Sequence, residues 1–88
     1  MVIEKNELSI YDVEELHTQL IEEFNNDSIV INLDNVHKID MSIIQLFVSA
    51  QKSAKEESKT FTLENVNHEV EDLLKNSACG FLLGENHE

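Results

Sequence analysis

The passage from Ser28 to Glu56 constrains this chain more than any other. Ser28 to Leu33 is a short apolar run rich in β-branched residues, the composition of a strand buried on both faces or nearly so. Asp34-Asn35 turns the chain and Val36 to Ile39 returns it. A second apolar segment, from about Met41 to Glu56, then carries Ile43, Ile44, Leu46, Phe47, Val48, Ala50 and Ala54 with the pattern of a helix. The hand-over between the two is Ile39-Asp40-Met41-Ser42-Ile43-Ile44. A strand passing into a helix through an acidic, hydroxyl-bearing corner belongs in an α/β layer, and such corners often carry the function of the fold.

The rest of the chain supplies partners for that unit. Val2 to Glu4 and Leu8 to Ile10 are strand candidates, with Lys5-Asn6-Glu7 as the turn between them, and this opening pair can be antiparallel. Asp12 with Glu15 three residues on has the form of a capping box, followed by Val13, Leu16, Leu20, Ile21 and Phe24 at helical spacing. Asn25-Asn26-Asp27 stops this first helix. Thr60 to Leu63 is a further core strand. Asn67 begins a third helix through Val70, Leu73 and Leu74, with Gly80 at its C-cap, and Phe81-Leu82-Leu83 returns to the sheet. The predicted order is β-β-α-β-α-β-α, with a final short strand as an option. It describes a small mixed sheet with helices packed against it, in one domain over residues 1–83 followed by a polar tail at 84–88.

Charge and composition narrow the function classes. Hydrophobic residues at 41% of 88 are enough for a folded core. The formal charge of -12 argues against nucleic acid, whose binding depends on neutralising phosphates with Lys and Arg. It disfavours anionic membrane surfaces for the same reason. Such an acidic surface serves solubility, or it steers the chain toward a basic protein partner. No apolar run approaches the ~18 residues that span a bilayer. With no leader-like N-terminus and a single cysteine, Cys79, a cytoplasmic setting is expected.

Glu7-Leu8-Ser9-Ile10-Tyr11 leading into a helix, Val30-Ile31-Asn32-Leu33-Asp34-Asn35-Val36, and Ile39-Asp40 before Gln45-Leu46-Phe47 together resemble the STAS domain, the family of bacterial anti-sigma factor antagonists and their relatives. The resemblance spans roughly Val2 to Leu83. It rests on length, element order and the corner rather than on any one motif. It implies a protein-binding regulatory module. In the best-known setting the partner is a serine kinase that also acts as an anti-sigma factor, and phosphorylation of a hydroxyl directly after the corner Asp breaks the complex. Other relatives serve as accessory subunits of transport or chemotaxis assemblies, with no phosphorylation cycle.

The corner departs from the family pattern at two positions. Met41 stands where the phosphorylatable Ser or Thr would be, and Ile43 stands at the usual glycine. Ser42 offers a hydroxyl one position late, rotated by about 100° on a helix. It is either a first-turn serine bonded to local backbone or a displaced phosphosite. Asp40 is a helix cap and also an electrostatic feature of a partner site. If Ile44, Phe47 and Val48 point inward, Met41 and Ile43 fall toward the outer edge and form an apolar patch; otherwise the helix is apolar because two of its faces are buried. Asp40, Met41, Ser42 and Ile43 are therefore the candidate partner-binding residues.

Catalytic and metal chemistry find little support. His17, His37, His68 and His87 share no ligand spacing, although His37 lies close enough to Asp40 in sequence to tune its charge. Gly80 and Gly84 are the only glycines, so no phosphate-cradling loop can form, and Ser42 lacks a His/Asp constellation. No enzyme activity, metal or cofactor is expected.

Overall fold

The computed structural model describes residues 1–76 and Leu82. The elements run β1 (Glu7–Leu8), a 3-10 turn (Ile10–Asp12), α1 (Val13–Glu23), β2 (Ser28–Asn32), β3 (Lys38–Ile39), α2 (Met41–Glu56), β4 (Thr60–Glu64) and α3 (His68–Asn76). This is an α/β arrangement with three helices and short strands, as expected. Gly80, Phe81, Leu83 and the 84–88 tail, with Cys79 and His87, lie outside the described residues.

β2 and β4 pair in parallel over their full lengths, from Ser28 opposite Thr60 to Asn32 opposite Glu64. The N-terminal stretch runs beside β2: Asn32 N–H donates to Met1 C=O at 2.8 Å, and Ile3 N–H donates to Asn32 C=O at 3.1 Å. Val2 forms a parallel bridge with Asn32. β1 pairs in parallel with β3, Glu7 opposite Lys38 and Leu8 opposite Ile39. Among the described residues every strand pairing is parallel, so the opening pair is not the antiparallel hairpin that the sequence allowed. Lys5-Asn6-Glu7 has no glycine to take the left-handed positions of a tight hairpin turn. Each half of that stretch instead finds a partner far along the chain.

The core gathers one face of each element. Ile29 and Ile31 of β2 and Phe61 and Leu63 of β4 are buried, while Val30 and Thr62 on the other face are half-buried. Leu16 and Leu20 come from α1, Val70 and Leu74 from α3, and Ile43, Ile44, Phe47, Ala50 and Ala54 from α2. Phe47 and Phe61 hold their ring centroids 6.1 Å apart, tilted by 47°, a favourable aromatic geometry. Leu82 is buried in the same cluster. The β1–β3 and β2–β4 pairs are two separate two-stranded sheets; fully burying one such Ile or Phe side chain contributes roughly 1.5–3 kcal/mol, so α2 is the main apolar anchor of the core they share.

Candidate partner-binding corner

The corner is set by the β1–β3 pair. Asn6 C=O accepts from His37 N–H at 2.8 Å, and Asp40 N–H donates to Leu8 C=O at 3.0 Å. These bonds carry the register to the last residue before α2. Two parallel strands leave their pairing at the same end, so the segment after β1 and the segment after β3 emerge together. The first becomes the 3-10 turn; the second becomes the N-terminus of α2. The two packed elements are in contact.

Asp40 is the N-cap of α2, extended at φ -89° and ψ 155°, and its Oδ1 accepts from Ser42 N–H at 3.4 Å. Its carbonyl accepts from Ile43 N–H and Ile44 N–H at 3.0 and 3.2 Å, which starts the helix. The carboxylate is exposed and lies at the positive end of the helix dipole, where a negative charge is stabilising. Met41 follows with 43% of its surface open to solvent. Ser42 is half-buried; its Oγ is shielded from solvent and has no hydrogen-bond partner.

Ile43 is completely buried, which corrects the expectation that it falls on the outer edge beside Met41. The inward stripe of α2 is Ile43, Phe47, Ala50 and Ala54, spaced by four, three and four residues, with Ile44 beside it. Reading the stripe through Ile44, Phe47 and Val48 rotates the helix by about one position, and Val48 is in fact only half-buried. The side chain of Ile43 therefore belongs to the core, and of the apolar pair only Met41 faces outward.

The turn beside the corner contributes two exposed apolar residues, Ile10 and Tyr11. Leu8 to Ile10 was expected as strand, yet Ile10 is 60% exposed and Tyr11 92%. The capping box is also displaced from Asp12–Glu15 to Ser9–Asp12. Ser9 Oγ accepts from Tyr11 N–H at 3.3 Å, while Ser9 N–H donates to Asp12 Oδ2 at 2.8 Å. Asp12 makes no side-chain cap bond to α1. The Ser9-x-x-Asp12 spacing was the available clue. Lys5 Nζ also bonds and ion-pairs with Asp12. The Lys5 bond, and after it the one from Ser9 N–H, hold the Asp12 carboxyl below its ordinary range, and the Asp12 carboxylate in turn raises Lys5.

His37, close to Asp40 in sequence, finds its side-chain partner on α3. Its Nδ1 lies 3.3 Å from Glu69 Oε2 on α3. Glu69 is held below its usual carboxylate range, first by its own backbone N–H and then by His37. Asn67, the residue before α3, fastens the loop from the other side. Its amide nitrogen donates to the carbonyls of Leu33, Asp34 and Val36 at 3.3, 2.9 and 2.7 Å. Among the described residues no three His, Cys, Asp or Glu side chains are grouped to hold a metal, and no helix is long and apolar enough to cross a membrane.

Residues 5–83 match the family described as "Mlab, STAS domain". The chain belongs to the STAS domain family. As a STAS domain it falls among regulatory and binding modules, and the corner just described is the one at which the sequence resemblance located partner contacts. No curated protein matches the chain at a significant level.

Proposed function

We propose that this STAS domain is a non-enzymatic partner-binding module that docks through the exposed start of α2, Asp40 and Met41, without a phosphorylation cycle at that corner. It would serve as an accessory subunit of a transport or chemotaxis signalling complex. The observation that carries this reading is the state of the two candidate switch positions. Met41 is exposed but has no hydroxyl, and Ser42 has a hydroxyl that is shielded from solvent. Phosphoryl transfer needs the accepting oxygen in line with the donor phosphate, which a shielded Oγ does not offer. An exposed methionine, flexible and polarisable, suits a surface that packs against another protein. The high negative charge supports a partner with a basic face and weighs against nucleic acid.

The second reading is an anti-sigma factor antagonist that switches between partners, one of them an anti-sigma serine kinase, with Ser42 as its phosphosite. Ser42 favours it as the hydroxyl in the first turn of α2, beside Asp40, and exposing Oγ would require that turn to open.

The test pairs binding with intact mass. The chain and Met41→Asp are each purified with the products of neighbouring genes, either a transporter ATPase, a chemotaxis kinase, or a serine kinase with its sigma factor. Met41→Asp is expected to lose the complex while keeping its melting temperature, and the mass of the native chain stays unmodified. Unchanged binding by Met41→Asp would sink the docking corner. A phosphate adduct that disappears in Ser42→Ala would replace the first reading with the second.

A further inference from the structure

We infer that the docking surface has a second half, the turn carrying Ile10 and Tyr11, and that it fits a partner protein presenting an apolar socket rimmed by Lys or Arg. This inference rests on the reading of the α2 corner as a docking site and extends it to a segment distant in sequence. Three observations converge on it. The parallel register of Leu8 with Ile39 delivers the turn and the start of α2 to the same end of the β1–β3 pair, so Ile10 and Met41 each follow the last paired residue by two positions. Ile10, Tyr11 and Met41 are three of the five large apolar side chains exposed on the described residues. Tyr11 is almost wholly in water, and it stands on a turn fixed at both ends by the Ser9–Asp12 capping box.

A tyrosine held on a rigid turn loses little conformational freedom on binding, which is why such residues so often dominate interfaces. The charges around it select the partner. The two lysines nearest in the chain are already occupied, Lys5 by Asp12 and Lys38 by Glu7 at 3.8 Å. The exposed carboxylate of Asp40 is left facing outward in a molecule of formal charge -12. The same charge opposes a second copy of the chain as the occupant.

The experiment uses the full chain in its own cells. A photoreactive phenylalanine analogue is placed at position 11, at position 41, or at position 55 near the far end of α2. The same protein is expected to crosslink from 11 and 41 but not from 55. With that protein purified, Tyr11→Ala should weaken binding about tenfold or more, Tyr11→Phe should keep most of it, and added salt should weaken the native complex. Thermal unfolding of Tyr11→Ala should match the parent, since the side chain lies in solvent. A partner that crosslinks from 41 alone, and binds Tyr11→Ala normally, overturns this inference and leaves the α2 corner standing. Crosslinking from neither position overturns both. A second copy of the chain as the crosslinked product, or affinity indifferent to salt, overturns the basic socket.

Discussion

Asn67 turns one side chain into a fastening for the whole loop between β2 and β3. An amide is required there because all three of its partners are carbonyl oxygens, and only a donor can satisfy them. Asn67→Asp keeps the shape but replaces the donor with a carboxylate aimed at three acceptors. It should cost more than Asn67→Ala, which only removes these bonds, at about 0.5–1.5 kcal/mol each, and leaves Leu33 C=O its bond from Val36 N–H. Denaturant titration of both variants checks this order, and equal stabilities would contradict it. Asp12 is the second residue with a defined task. Its folded carboxyl titrates lower than the unfolded one, because Lys5 and Ser9 N–H bond its charged form. The stabilisation is therefore present above the unfolded value of about 3.9 and lost as pH falls through the folded value below it. Asp12→Asn should destabilise the chain at neutral pH, and the gap to the parent should close in acid below about pH 4. A gap that stays constant in urea titrations across that range would show that the charge is not what stabilises the turn. At this scale the sequence was readable where a residue acts on its neighbours, as Asp40 does. It was unreadable where the partner is distant, as with Asn67 and with His37, whose partner is Glu69 on α3.

Helix α2 was visible from end to end because sixteen residues without Gly or Pro carry one consistent apolar stripe. Its rotation was less visible, since adjacent Ile43 and Ile44 allow the stripe to be drawn through either. The way it ends is a finding of the structure. Lys59 N–H donates to Ala54 C=O at 2.7 Å and Ser58 N–H to Lys55 C=O at 3.1 Å, the Schellman arrangement, with Ser58 left-handed at φ 60°. Glycine normally takes that position because it carries no Cβ to clash. Ser58→Gly should therefore be neutral or stabilising, by up to about 1 kcal/mol, as a higher melting temperature; a clear loss would show that the serine is needed. The same ending places Lys59 Nζ on Phe24 C=O and 5.8 Å over the Phe24 ring, so the end of α2 also closes the end of α1. The two-residue strands β1 and β3 were the least legible elements. Two residues carry no periodicity, and their pairing is decided by the register of distant backbone rather than by local preference.

On the scale of the whole molecule, the chain's acidity and its apolar core answer different demands. Four of the six lysines stand within 4 Å of a carboxylate, so local pairing leaves the surplus of acid largely intact. Exposed pairs of this kind contribute about 0–1 kcal/mol, and the fold depends on the buried set around β2 and α2. The α/β class was legible because that buried set is written in two long, regular segments. The composite surface at the corner was not, since no local pattern announces that the segment after Leu8 will lie beside the segment after Ile39.

That long-range junction couples recognition to folding. The backbone bonds that join the two halves, from His37 to Asn6 and from Asp40 to Leu8, exist only in the native pairing. A chain that has opened β1 from β3 still contains Tyr11 and Met41, yet no longer presents them as one surface. The partner would therefore act as a clasp on the shorter of the two strand pairs. In deuterated water, amide exchange at His37 and Asp40 should slow when the complex forms, by the factor by which binding suppresses opening.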